Sequence, residues 1–88
     1  MTPEDNRIHS LRAFISKEGL KNSRQRETIA RVFFGIEDHI RVDELLNLVR
    51  EVDDRVSQAT VYRTMKLLVE CGLAEARQFN DGQTRYEV

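Results

Sequence analysis

Apolar positions recur along this chain first at helical spacing and finally at strand spacing. Ile8, Leu11, Phe14 and Ile15 fall every three to four residues between about Glu4 and Glu18, and the run stops at Gly19, which predicts a first helix with a glycine-marked end. Ile29, Val32, Phe33 and Ile36 stand at i, i+3, i+4 and i+7 behind Asn22 and Ser23, both suited to cap a helix. They predict a second helix to about Ile36, with Arg24, Arg26 and Arg31 at its start and outer side. A third helix is predicted over about Val42 to Glu51, burying Leu45, Leu46 and Val49. A fourth covers Gln58 to Cys71, capped by Ser57, burying Val61, Met65, Leu68 and Val69 and ending on Gly72.

Past Gly72 the period changes. Leu73 to Phe79 and Gln83 to Val88 are short, partly alternating runs separated by Asn80, Asp81 and Gly82, which signals a β-hairpin. The predicted class is α+β, mainly α. Two short helices joined by the polar turn around Glu51, Asp53, Asp54 and Arg55, the second followed at once by a hairpin, fit a winged helix-turn-helix: four helices, then a two-stranded wing.

Composition narrows the picture. The 88 residues form one small domain, 1–88, with 40% apolar and 33% charged positions, which excludes a large multi-domain enzyme. The single cysteine, Cys71, has no disulfide partner and reads as a small buried hydrophobe, and with only two histidines no zinc-stapled fold is expected. No apolar run reaches the roughly 18 residues of a membrane span, and MTPEDNR lacks the layout of a secretory signal, so a cytoplasmic protein without membrane association is expected.

A net charge of −1 and a pI near 6.1 argue, globally, against a nucleic-acid binder. The average hides an asymmetry: residues 7–34 carry +5 and residues 35–56 carry −4. The start of the fourth helix adds a specific possibility. Free amides at Gln58, Ala59 and Thr60, together with the helix dipole, suit phosphate, and Tyr62 and Arg63 follow on the same helix. Arginine can donate twice to guanine O6 and N7, and an aromatic ring can pack on a thymine methyl. Taken alone, the same pair also reads as a half-buried aromatic beside a solvated charge.

Several separated strings carry a resemblance. They are Gly19-Leu20-Lys21 before Ser23-Arg24-Gln25-Arg26, His39-Ile40 ahead of Asp43-Glu44-Leu45, and Ser57-Gln58-Ala59-Thr60-Val61-Tyr62-Arg63-Thr64. Leu68, Gly72-Leu73, Phe79-Asn80-Asp81-Gly82 and Arg85-Tyr86-Glu87 complete the set. In these the chain resembles the DNA-binding half of the ferric uptake regulator family of metal-responsive repressors, over about four fifths of its length; the Ala-Thr-Val-Tyr-Arg string is the most specific part.

The resemblance implies a reader of double-stranded DNA with an A·T-rich, partly palindromic operator. Lys21 matches a lysine inserted into a narrow minor groove. Tyr62 and Arg63 match the major-groove readers, and Ala59, Thr60 and Arg26 match phosphate contacts. Gln78 and Gly82 belong to the wing; Arg77 and Arg85 are added to them from charge alone, each also readable as a surface arginine kept for solubility. His39 and Glu87 match half of a regulatory site for iron, manganese or zinc, which in the family is completed by ligands beyond the wing and joins the DNA-binding and dimerisation domains. His9 belongs to no such motif and reads as a surface residue.

The chain stops at Val88, so the expectation is a DNA-binding domain without the family's dimerisation domain and Cys-x-x-Cys zinc pairs, monomeric by itself and holding no metal tightly. Arg41 stands where relatives often place a hydroxyl cap, which weakens that cap by about 1 kcal/mol and leaves the start of the third helix open. A second class stays open too: a winged-helix protein-interaction module using the acidic and apolar surface around residues 43–54. An enzyme is not expected, for no nucleophile–base pairing, glycine-rich phosphate loop or complete metal set is present.

Overall fold

The computed structural model describes residues 2–88. It contains α1 (Pro3–Lys17), α2 (Arg24–Phe34), α3 (Val42–Arg50), α4 (Gln58–Glu70), β1 (Glu75–Gln78) and β2 (Thr84–Glu87). Four helices followed by an antiparallel hairpin make the expected winged helix-turn-helix.

Local chemistry starts each helix. Thr2 and Asp5 form a reciprocal capping box, with the Asp5 N–H donating to Thr2 Oγ1 at 3.1 Å, and Pro3 occupies the first turn, so α1 begins just ahead of the expected Glu4. Ser23, not Asn22, caps α2, its Oγ accepting the Arg26 N–H at 3.1 Å. Ser57 caps α4 in the same way, accepting the Thr60 N–H at 3.2 Å. At α3 the cap residue is Arg41, whose side chain accepts nothing. The Glu44 carboxylate instead takes the Arg41 N–H at 3.0 Å, so half of a capping box starts the helix at Val42.

α2 packs against all three other helices. Its Ile29 and Phe33 are fully buried with Leu11 of α1, Leu45 and Val49 of α3, and Val61, Met65 and Leu68 of α4. α2 ends at Phe34 rather than Ile36, because the Gly35 and Ile36 amides bond to Val32 and Phe33 three residues back and tighten the last turn; Ile36 still packs on the core. On α4 Val61, Met65 and Leu68 are buried as expected, but the edge of the buried face differs. Val69 is exposed and Leu67 buried, since Thr64 is also buried, its hydroxyl donating to the Thr60 carbonyl at 2.8 Å, and turns the buried arc toward Leu67. Cys71 is half-buried against the core, and burial pushes its thiol pKa up.

The wing leaves α4 through Gly72, whose φ of 80° lets the Leu73 N–H turn back to the Leu68 carbonyl at 2.9 Å. β1 and β2 then pair in register Glu75↔Glu87, Ala76↔Tyr86, Arg77↔Arg85 and Gln78↔Thr84, shorter than the expected runs. A feature that periodicity missed lies on the other edge of β2. Ile40, in the loop before α3, forms an antiparallel bridge with Tyr86. β2 is therefore central, and Tyr86 is buried there with its phenol pKa raised by desolvation.

Candidate nucleic-acid interface

The exposed face of α4 carries the chemistry singled out in the sequence. Ser57 satisfies the Thr60 amide through its hydroxyl and the Val61 amide through its carbonyl, which leaves the Gln58 and Ala59 amides unspent at the helix start. Tyr62 is 54% exposed although large and aromatic, and Arg63 and Lys66 are exposed beside it. The only partner of the Arg63 guanidinium among the described residues is Thr60 Oγ1, at 3.4 Å, and that hydroxyl is itself paired with Ser57 Oγ at 2.9 Å. Ala59 is exposed and Thr60 half-exposed.

Next to this face, the starts of α3 and α4 and strand β2 enclose an open cleft of about 800 Å³ lined in part by Arg41, Gln58, Ala59, Tyr62, Gln83 and Thr84. Arg41, Gln83 and Thr84 were not read from the sequence as site residues. The strand register was the available signal for Thr84, which alternates with Arg85 and so shares the face of buried Tyr86.

Lys21 and Arg26 form a second group. Arg26 donates from Nη1 to the Lys21 carbonyl at 2.8 Å, fastening the exposed Lys21 loop to α2. No hydrogen bond or ion pair among the described residues joins this group to α4. Lys21, Arg26, Arg63 and Lys66 have no carboxylate within ion-pair distance there.

Other cations of the basic segment are partly neutralised. Arg12 meets Glu27 at 2.6 Å, holding that carboxyl below its usual range, and Arg31 lies 3.6 Å from Asp5. The acidic α3–α4 turn comes back to α2, since Arg24 lines one shallow depression with Asp53 and Asp54. Asp53 is held low mainly by the Arg55 backbone N–H.

In the wing, Gln78 and Gly82 are exposed, and Gly82 takes a φ of 78° at the turn. Arg77 and Arg85 oppose one another on the face of the hairpin away from Tyr86 and Thr84. Arg77 bridges Glu87 at 2.5 Å and Glu75 at 3.1 Å. Arg85 pairs with Asp81 at 3.0 Å and lies 4.6 Å over the Phe79 ring. Both guanidiniums are paired with carboxylates, whereas Arg63 meets none among the described residues.

The Ile40–Tyr86 bridge also sets His39 opposite Glu87. The imidazole rests against Phe79, ring centres 4.8 Å apart, with Nε2 at 3.6 Å from Asp38, while the Glu87 carboxylate is taken by Arg77. Among the described residues no group of three or more His, Cys, Asp or Glu is arranged to hold a metal, so His39 and Glu87 fit at most two positions of a coordination shell. His9 lies exposed on α1. No helix among the described residues is long and apolar enough to cross a membrane.

A sequence model described as the ferric uptake regulator family matches residues 17–88. The ferric uptake regulation protein of Rhizobium leguminosarum bv. viciae is 38% identical over 78 residues, covering 89% of this chain and 55% of that protein. That of Bacillus subtilis (strain 168) is 34% identical over 85 residues, covering 96% and 57%. In three dimensions the chain resembles the Helicobacter pylori ferric uptake regulator, whose structure is described as revealing three functional metal-binding sites, with a TM-score of 0.90 and 29% identity over 99% of this chain and 58% of that one. The chain thus spans little more than half the length of these relatives. With its wing, its capped α4 and its sequence all agreeing, it belongs to the ferric uptake regulator family.

Proposed function

We propose that these 88 residues are the DNA-binding domain of a metal-responsive transcriptional regulator acting in the cytoplasm. The observation that carries this reading is the face of α4: a capped helix start with two unspent amides, then Tyr62 and Arg63 exposed without a carboxylate partner. A helix placed in the major groove by its N-terminus would set Ala59 and Thr60 against phosphate and Tyr62 and Arg63 against base edges. Lys21, fastened by Arg26, supplies the cation for the narrow minor groove of an A·T-rich operator, and Arg26 keeps guanidinium donors for backbone oxygens. Gln78 and Gly82 touch flanking backbone through the wing. Arg77 and Arg85 join them by exchanging Glu75, Glu87 and Asp81 for phosphate.

In the regulator as a whole, a divalent metal (iron, manganese or zinc) would supply fixed coordination geometry, with His39 and Glu87 as two of its ligands. Two such domains held at successive half-sites, about 34 Å apart, then meet a palindrome together. The isolated domain is monomeric, holds no metal tightly and binds one half-site weakly, without the gain in effective concentration that a dimer provides. Membership in a family of transcriptional regulators agrees with the absence of catalysis expected from the sequence.

Fluorescence anisotropy with a labelled A·T-rich palindrome and a scrambled duplex, at two salt concentrations, tests the reading. Salt-dependent preference for the palindrome is expected. Arg63→Ala should cost about 1–3 kcal/mol and relax base preference, whereas Arg26→Ala should weaken both duplexes alike and lower the salt slope. Exposed Leu48 and Val52, beside the acidic residues of the α3–α4 turn, favour the second reading, a protein-docking module. Salt-insensitive, sequence-blind behaviour towards duplex DNA, with a protein partner recovered instead, would decide for it.

A further inference from the structure

The cleft between α3, α4 and β2 contains one cation, and it is not a wing arginine. Thr84 and Tyr86 line it from β2, while Arg77 and Arg85 project from the opposite face of the hairpin. The cation is Arg41. Its Nε is buried and makes no hydrogen bond, although Asp43 Oδ1 and Glu44 Oε1 lie 3.3 and 3.4 Å away. Those carboxylates attract the stem end of the guanidinium by charge, and Asp43 shares the lining of the cleft. Its two outer nitrogens have no hydrogen-bond partner among the described residues, and the side chain remains 33% exposed. Across the cleft, the start of α4 presents the unspent amides of Gln58 and Ala59. A guanidinium and a helix start that line the same cleft together suit a phosphodiester oxygen.

We propose that this cleft receives one strand of the DNA backbone and that Arg41 is its phosphate-contacting cation. The inference rests on the DNA-binding reading above and adds a residue to it. It also gives a use to an arginine at a helix-capping position, where the side chain caps nothing and Glu44 accepts the Arg41 N–H instead. Arg41 contacts no base in this arrangement, so its contribution is independent of sequence, unlike that of Arg63.

The test is anisotropy of the 88-residue chain on the palindromic and scrambled duplexes across a salt series. Arg41→Ala should weaken both duplexes about tenfold, and the slope of log affinity against log salt should fall by about 0.9. Arg41→Lys, which keeps the charge, should retain the wild-type slope. Circular dichroism confirms that each variant folds, and Arg41→Gln replaces the alanine variant if that one does not. A wild-type slope in the folded uncharged variant, or a loss confined to one duplex, overturns the assignment while leaving the DNA-binding reading intact. Failure of the wild-type chain to bind either duplex at low salt overturns both.

Discussion

Ile40 and Tyr86 exchange both of their backbone hydrogen bonds, at 2.9 and 2.8 Å, and so tie the loop before α3 to the last strand of the wing. Tyr86 is also buried to 7% exposure, and its hydroxyl has no hydrogen-bond partner among the described residues. Tyr86→Ala should therefore cost about 3–5 kcal/mol, as other large aromatic deletions from cores do. Tyr86→Phe should be nearly neutral. Urea unfolding of both variants checks this, and equal midpoints would show that the wing is not packed as described.

Phe33 is the largest fully buried side chain, in the last turn of the helix that packs against the other three. A chain this short has a total stability of roughly 4–13 kcal/mol at typical values per residue. Phe33→Ala, at about 3–5 kcal/mol, removes much of it. A thermal melt should show a large fall in midpoint or no cooperative transition; a melt within a few degrees of wild type would contradict the central role of this ring.

Ser57 separates stability from binding. Ser57→Ala removes the α4 cap and should cost about 1 kcal/mol. Ser57→Asp keeps an acceptor for the Thr60 amide and adds charge favourable to the helix dipole, so its stability should exceed that of the alanine variant. On duplex DNA the order should reverse, the added carboxylate repelling phosphate. An aspartate variant that binds DNA better than the alanine variant would place the phosphates elsewhere.

Glu27 gives the fold a pH dependence of known sign. Its carboxyl is held below the usual range chiefly by the Arg12 guanidinium, with Asn22 Nδ2 as a second donor. The folded-state pKa is depressed, so the associated stability is present above the unfolded-state value and is lost as pH falls through the folded one. Asp5, Asp53 and Asp81 shift in the same direction. Urea midpoints should be level near neutrality and fall on acidification below the ordinary carboxylate range. In Glu27→Gln that fall should be shallower, and an unchanged slope would deny the pair any share.

The helices were legible because each carries its own period and its own cap within a few residues, as at Ser23 and Ser57. Thr64 misled the reading of α4, since a residue classed as polar became buryable once its hydroxyl found the Thr60 carbonyl. The Ile40 bridge was not legible at all: one residue has no period, and its partner is distant in sequence. Tyr62 and Arg63 stood out through their motif, and their exposure follows from helical geometry. The capture of Arg77 and Arg85 by wing carboxylates depends on turn geometry and strand pairing together, and the place of Arg41 in the cleft depends on elements distant in sequence.

Because β2 is bonded to β1 along one edge and to Ile40 along the other, it acts as a spindle between wing and helices. The strand that carries the hairpin therefore also positions Ile40 and, one residue on, the arginine that lines the cleft.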